Sequence, residues 1–550
     1  RVKRWALLLA LVALVTAYFS VPFLLDRAYM NRSVWEDPGK YDAYGWQWTL
    51  GALMRGEIFD FGRFPSLTLL ACLGLIVCLW RWREERYRIP VVIALGWLLI
   101  YFGRPTWGVL LDLLPLSNEL HLHRLIAGVH LGGIMLMGIG LALPWQWALS
   151  RENAWRLLAI AMMSMALLYP VYQERDTFLD ENTLWMTENG EAFTSDESDL
   201  AALFESLRGA PQGRVYAGLG GNWGADYKVG DTPVYALLQS AGFDMLGYPY
   251  HALSLNADIQ VILEENRPEQ YDLFNVRYVV APAGKAFPDF VQPVTEFGRH
   301  RLYQVATSGY VKLVGSEVAF TGDKSDFYPA ASHWLSSDLA RVSQHPAIFL
   351  QGKAEGYQRV YPLSQADEVI PMASFQVEPS RGRVLSQRIE SNGYSAEVEV
   401  ARESFLMLKA TFHPNWRATV DGEPIKPVML MPSYVGVKVT QGTHLVGFTY
   451  SPRSWRLIMG LGGLLVLAMT ALVEWRRDRL ARWPVLLRLK RALTAVQRGS
   501  NRLAAWRLSP RVRARVTRHL PYLGGLALIT LPALLLLLAW LAYAGRSGRV

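Results

Sequence analysis

Two groups of residues in this chain have the types and spacing to do chemistry. Segment 26–64 carries Asp26, Arg27, Glu36, Asp37, Lys40, Asp42, Asp60 and Arg63 among Trp35, Tyr41, Tyr44, Trp46 and Trp48. A carboxylate can take a proton from an acceptor hydroxyl and a flat ring can stack on a pyranose, so Asp42 and Glu36 are the candidate acids. The same composition also describes an interfacial belt of Trp and Tyr with solvated charges. The second group is Arg104 and Arg124, at the ends of two apolar stretches, with Trp107, His121 and His123 beside them. A guanidinium can grip a phosphate bidentately, and the amino end of the helix after Arg124 adds a favourable dipole. Arg104, Trp107, His123 and Arg124 are therefore the candidate substrate-binding residues, with snorkelling Arg side chains as the competing reading.

Other arrangements lead nowhere catalytic. On a helix His123 and His130 share a face while His121 and His123 point nearly opposite ways, and only Glu119 or Asp112 is at hand as a third ligand. No metal ligand set and no cofactor follow, and dependence on a divalent metal stays open. His130, beside Gly128, Gly132 and Gly133, reads as a hydrogen bond between packed helices. Gly218–Gly224 (GLGGNWG) lacks the Lys-Ser/Thr of a phosphate loop, and neither G-x-S-x-G nor H-E-x-x-H occurs. His413, Trp416 and Tyr434 have the types of a carbohydrate platform, although core packing accounts for Trp416 equally well.

These residues sit in a chain of 550 residues, 51% hydrophobic, with 20 Trp, two Cys and a net charge of +9. The charge is unevenly placed. Residues 173–453 hold 23 Lys+Arg against 34 Asp+Glu, a net of −11, whereas 476–520 hold 14 basic residues against Asp478 alone, a net of +13. A local basic block argues against nucleic acid as the partner. Seven stretches are apolar enough to span a bilayer: Trp5–Leu25, Pro65–Trp80, Pro90–Phe102, Leu125–Trp147, Trp155–Tyr172, Trp455–Trp475 and Pro521–Ala544. The third is short and needs an extension back towards Arg88, or a re-entrant course. Lys and Arg near the ends place the amino end, the Arg81–Arg88 connection, the Arg151–Arg156 connection and the basic block inside. Loops 26–64 and 103–124 and the acidic segment 173–453 are then outside. Cys72 and Cys78 lie within one apolar run and exclude a disulfide scaffold. The first span lacks a cleavage pattern, and a chain beginning with Arg1 reads as the carboxy-terminal portion of a longer membrane protein.

The expected fold is thus a polytopic α-helical membrane protein of about seven transmembrane helices with a large extracytoplasmic α/β plus β-sandwich domain. Its parts are a five-helix region over 1–172, an α/β region over 173–383, a β-sandwich over 384–453, a helix over 454–475, a basic linker over 476–520 and a last helix over 521–545. Within the α/β region the helical stripe Leu200, Leu203, Phe204, Leu207 ends at Gly209, and strands are expected from Arg214 and Val276. From Val384 onward seven short strands recur, with turn residues at Val420–Glu423 and Thr440–Thr443. Val485–Leu508 reads as an amphipathic helix lying on anionic membrane lipids.

DLFNVRYVVAP (Asp272–Pro282) and HPNWRATVDGEPIKPVMLMPSYVGVKVTQGTHLVGFTYSPRSW (His413–Trp455) resemble the outer domain of bacterial YfhO-type membrane proteins. Asn415 stands before Trp416 where that family more often has Gly. SVWEDPGKYDAYG, FDFGRFPSLTLL, YFGRPTWGVLLDLLP and HLHRLIAGVHL are similar to integral membrane proteins labelled as related to 6-pyruvoyl-tetrahydropterin synthase. Both groups look like relatives of the GT-C glycosyltransferases. The resemblance implies an extracytoplasmic transfer at the bacterial cytoplasmic membrane, from a polyprenyl-phosphate sugar to an envelope glycan acceptor. It also implies that the main catalytic acid lies upstream of Arg1. The alternative is a non-catalytic envelope scaffold or glycan-binding membrane protein; a transporter is weaker, since only His130 places a polar group at mid-membrane depth.

Overall fold

The computed structural model describes residues 2–476 except 115–116, 151–152, 248–252 and 373–378. The expected last helix, Pro521–Ala544, and the amphipathic Val485–Leu508 lie outside the described residues. Among the described residues four helices are long and apolar enough to cross a membrane, and a bent pair makes up to five. The four are Ala6–Leu25, Leu122–Leu149, Ala154–Gly209 and Trp455–Trp475, and Ser66–Trp80 is a shorter apolar helix beside them. The third expected span extends back to Glu85 and ends at Tyr101, then bends by 81° into Arg104–Leu113. Gly74 and Gly140 let helices Ser66–Trp80 and Ile126–Leu149 approach until a Cβ would strike the backbone oxygens of Leu136 at 1.8 Å and Leu70 at 2.2 Å. Small residues at such crossings are how apolar helices gain contact where no hydrophobic drive separates them from lipid.

The fifth expected span and the first helix of the α/β region are one element. Ala154–Gly209 is a continuous helix of 56 residues, about 84 Å long at 1.5 Å per residue. The acidic stretch between its ends stays helical although Pro170 stands just before it and Gly190 within it. Asn182, Thr183, Thr187, Asn189 and Thr194 donate back to carbonyls four residues earlier. The boundary drawn at residues 172 and 173 is therefore crossed by an unbroken helix, and its far end buries Leu200, Leu203 and Leu207.

That far end covers a four-stranded sheet in the order Arg214–Tyr216, Val276–Pro282, His300–Gln304, Gln292–Phe297, whose first pair is parallel. A seven-stranded sheet follows, ordered Arg359–Pro362, Val318–Thr321, Ala347–Phe349, Val428–Leu430, Tyr434–Val439, Ser404–Thr411, Val311–Val314. One of its faces packs under helix Phe327–Ser336, around the fully buried Trp334. Its other face meets an antiparallel sheet ordered Gly382–Glu390, Gly393–Val400, Gly442–Tyr450, Trp416–Val420, Glu423–Ile425. The alternation of Val and Leu with polar residues along these strands is what builds the shared core of Val311, Val398, Leu406, Val437 and Phe448. A sandwich is present, yet it does not begin at 384. Val311–Val314 pairs with Phe405–Leu408, so one of its two sheets draws strands from both sides of that boundary.

Candidate functional site

The candidate residues meet where the helical bundle faces the β-rich domain. Asp37 caps the short helix Pro38–Asp42 by accepting from Gly39 N, which presents Lys40, Tyr41 and Asp42 to the 3-10 turn Leu122–Leu125. Gly103, at φ 68°, lets the end of the third helix touch the end of Pro38–Asp42; a Cβ there would lie 2.1 Å from the Asp42 carbonyl oxygen. The bend after Tyr101 is pinned by Trp46 N donating to Thr106 Oγ1 and by Trp107 Nε1 donating to Leu99 O at 2.6 Å. Trp107 is thus a half-buried peg against Ala43, Leu111 and Leu122, and not a free stacking plate.

Both candidate carboxylates are engaged. Glu36, 9% exposed, takes His121 Nε2 at 2.8 Å and Lys40 Nζ at 3.4 Å. Burial alone would raise its pKa, but hydrogen bonds from Tyr41 and His121 and the nearby Lys40 hold it below the usual value. Burial, and after it the same Glu36, pushes the Tyr41 phenol well above its ordinary value. Asp42 lies 3.3 Å from Arg104 Nε and 3.8 Å from Arg32 Nη2, and Arg32 covers the Tyr41 ring at 4.4 Å. His123 Nδ1 is spent on Lys40 O at 2.8 Å.

Arg104 and Arg124 do not form a clamp. Arg104 spreads its guanidinium over Asp42, Asp112 at 2.8 Å and Asn118 Oδ1 at 2.6 Å, so its charge is already neutralised within the loops. Arg124 is exposed at the amino end of Ile126–Leu149, and its guanidinium has no hydrogen-bond or ion-pair partner among the described residues. Glu36, Asp42 and Asp112 are thus each paired with a cation, drawn from Lys40, Arg32 and Arg104. Arg124 takes no part in this pairing. No signal in the sequence marks Asp112, Asn118 or Arg32 as partners, because the fold alone brings their loops together; Glu36 and Lys40 are legible as an i, i+4 pair.

Further polar contacts tie the helical bundle to the β-rich domain. Asp26 receives both Nη atoms of Arg453, at 2.5 and 2.6 Å, tying the end of the first helix to the start of Trp455–Trp475. His413 Nε2 lies 3.5 Å from Asp26, and burial and Arg453 hold its imidazole below its ordinary pKa. Ser33 Oγ and Val34 N donate to the fully buried Asp258, and Lys324 Nζ reaches Glu119. Asp60, 0% exposed, caps Ser66–Trp80 by accepting from Leu67 N, Thr68 N and Thr68 Oγ1. His130 Nε2 meets Ile58 O at 2.9 Å, between the bundle helices. The His413–Trp416–Tyr434 platform is absent as a surface: Tyr434 is fully buried, Trp416 is 8% exposed, and Trp416 Nε1 donates to Thr411 O inside the sandwich. Among the described residues no group of three His, Cys, Asp or Glu side chains is arranged to hold a metal ion.

Fold and site together define a bundle of long apolar helices joined to a β-rich domain, with a charged cluster at the junction. The chain matches no family model, no curated protein and no solved structure.

Proposed function

We propose that this protein is a membrane glycosyltransferase-like protein of the bacterial cytoplasmic membrane, with its β-rich domain outside. Its described bundle would hold a polyprenyl-phosphate sugar, and an envelope glycan would be the acceptor. The observation that carries this reading is Arg124, an exposed cation whose guanidinium has no hydrogen-bond or ion-pair partner among the described residues. It stands at the amino end of an apolar helix, where the helix dipole adds to its attraction for a phosphate. Glu36 and Asp42 act in this reading as positioning residues that set the Leu122–Leu125 turn, and the acid for the chemistry comes from elsewhere. A second reading, a non-catalytic glycan-binding scaffold, is favoured by the same ion pairs, because a paired carboxylate is a poor base. The two separate in one assay: the protein in lipid nanodiscs, given a labelled polyprenyl-phosphate sugar and envelope glycan acceptors. Label transferred in wild type and lost in Arg124→Ala supports the enzyme. Carrier retained without transfer supports the scaffold, and neither binding nor transfer removes both.

A further inference from the structure

The β-rich domain carries a second charged feature, remote from the junction. Two adjoining hollows of about 460 and 500 Å³ share Ser380, Gly382 and Arg383 and form one open cleft at an end of the sandwich. Volumes of this order suit a small ligand or a short stretch of a polymer. Strand Gly442–Tyr450 leads within five residues into the apolar helix Trp455–Trp475, and the cleft lies at its other end, at Gln441–Thr443. At about 3.4 Å per residue, the strand separates the cleft from the helix entry by roughly 27 Å. The strand beside it agrees, since Val400, which lines the cleft, pairs with Gly442, whereas Gly393 pairs with Thr449. The cleft therefore lies at the end of the sandwich distant from the entry of that helix.

Its chemistry is unlike that of the domain around it. Residues 173–453 carry a net charge of 23 − 34 = −11, yet the cleft is lined by Lys312, Arg381, Arg383 and Arg402, with Glu399 the single carboxylate among the described lining residues. Hydroxyl and amide groups from Ser308, Ser343, Ser380, Gln441 and Thr443 stand between the cations. Several of the cations are held in place. Lys312 Nζ is fixed at 2.7 Å from Asp272, and Arg402 Nη2 donates to Pro379 O at 2.9 Å. Arg383 is the adaptable one: its side chain is 74% exposed and its partner Glu399 is 50% exposed, a pair that water weakens and another anion can exchange. A guanidinium fork matches a carboxylate or phosphate, and interleaved hydroxyls match those of a sugar.

We propose that this cleft is a binding site for an anionic glycan, whose acid groups meet Arg383 and Arg402 and whose hydroxyls meet the serines and Gln441. No aromatic ring is found among the described lining residues, so the cleft lacks the stacking platforms on which single-stranded nucleic acid is held. At that distance from the entry of Trp455–Trp475, it is also badly placed for the headgroups of a membrane that this helix enters.

The test measures binding to the whole protein in lipid nanodiscs. The probes are an oligogalacturonate, its methyl ester, a glycerol-phosphate oligomer bearing sugars, and a single-stranded oligonucleotide. The acidic oligosaccharide or the phosphodiester glycan should bind, and whichever does identifies the source of the acid group. The methyl ester should not. Raising the salt should weaken binding, and Arg383→Glu should weaken it about tenfold or more while leaving near-UV circular dichroism unchanged. Arg383→Lys, which keeps the charge without the fork, should fall between. Equal binding of ester and acid, no binding of either anionic glycan, insensitivity to Arg383→Glu, or preference for the oligonucleotide would overturn the proposal. Arg124→Ala should leave this binding intact, so its failure and the failure of the carrier reading are distinguishable.

Discussion

Asp272 is the residue whose replacement tests the packing of the β-rich domain most sharply. Its carboxylate takes Lys409 Nζ at 3.1 Å, Lys312 Nζ at 2.7 Å, and both the backbone N and Oγ of Ser308 at 2.7 Å. Lys409 is fully buried, and its remaining partners are Asp272 O and Ser308 Oγ. Burial would raise Asp272, but the two lysines and the Ser308 donors hold its pKa well below the carboxylate range. Burial pushes Lys409 down to about 8, partly countered by Asp272. Removing one partner of a buried pair costs about 3–5 kcal/mol, and the 19% exposure of Asp272 puts Asp272→Asn at the lower end, about 3 kcal/mol. For a domain of this size that lowers the midpoint of thermal unfolding by roughly 6–12 °C. Lys409→Met in the same background should recover part of the loss, because the uncompensated ammonium is then gone.

The pH dependence has a definite sign. Asp272 contributes stability above about pH 4, its unfolded value, and that contribution is lost as pH falls through its lower folded value. A lysine whose folded pKa is about 8, against about 10.4 unfolded, binds fewer protons when folded, so stability rises with pH between those values. Without Asp272 the Lys409 pKa falls further still, so the deficit of Asp272→Asn should shrink as pH rises towards about 8, where the variant sheds the unpaired charge ahead of wild type, and level off above it. Tryptophan fluorescence of the domain during heating measures this. A shift below about 2 °C, or a deficit that does not change with pH, would refute the reasoning.

Three further outcomes follow from the junction. Arg453→Ala leaves Asp26 buried without its bidentate partner; a loss of about 2 kcal/mol, discounted for partial exposure, should appear as faster amide exchange at Arg27–Met30. His130→Phe removes the partner of Ile58 O and should lower the unfolding midpoint by an amount equivalent to about 1–3 kcal/mol, read by thermal denaturation in nanodiscs. Glu36, held below its usual pKa, stabilises the junction above about pH 4.5 and ceases to do so as pH falls through its folded value; Glu36→Gln should abolish that acid-side loss in an unfolding titration.

How far the residues announced this arrangement depends on the range of the interaction concerned. Trp455–Trp475 was readable to both ends, because a long apolar run between Arg453 and Arg476 needs no tertiary knowledge. The sixteen-residue run Pro65–Trp80 and the interhelical role of His130 were equally local. The unbroken helix Ala154–Gly209 is not legible from composition, because Pro170 and the change from apolar to acidic residues after it resemble a boundary, whereas the helix runs through both and ends only at Ala210. The sandwich was misplaced because Val311–Val314 is a short strand whose partner lies some ninety residues on, and no periodicity encodes that pairing. Residue types at the junction pointed to charge and phosphate chemistry. That Arg104 would be consumed by Asp42 and Asp112 while Arg124 stayed unspent depends on two loops folding onto each other.

The central claim is that Arg124, and not the paired carboxylates, is the contact for the carrier phosphate. Its most direct measurement is equilibrium binding of a polyprenyl-phosphate sugar to the protein in nanodiscs, comparing wild type with Arg124→Ala, Asp42→Asn and Glu36→Gln. A lost charge-assisted hydrogen bond of about 1.5–3 kcal/mol predicts a roughly tenfold to hundredfold weaker Kd for Arg124→Ala and a smaller change for the other two, since they act through position. An unchanged Kd for Arg124→Ala, or a larger loss in Asp42→Asn than in Arg124→Ala, would contradict it.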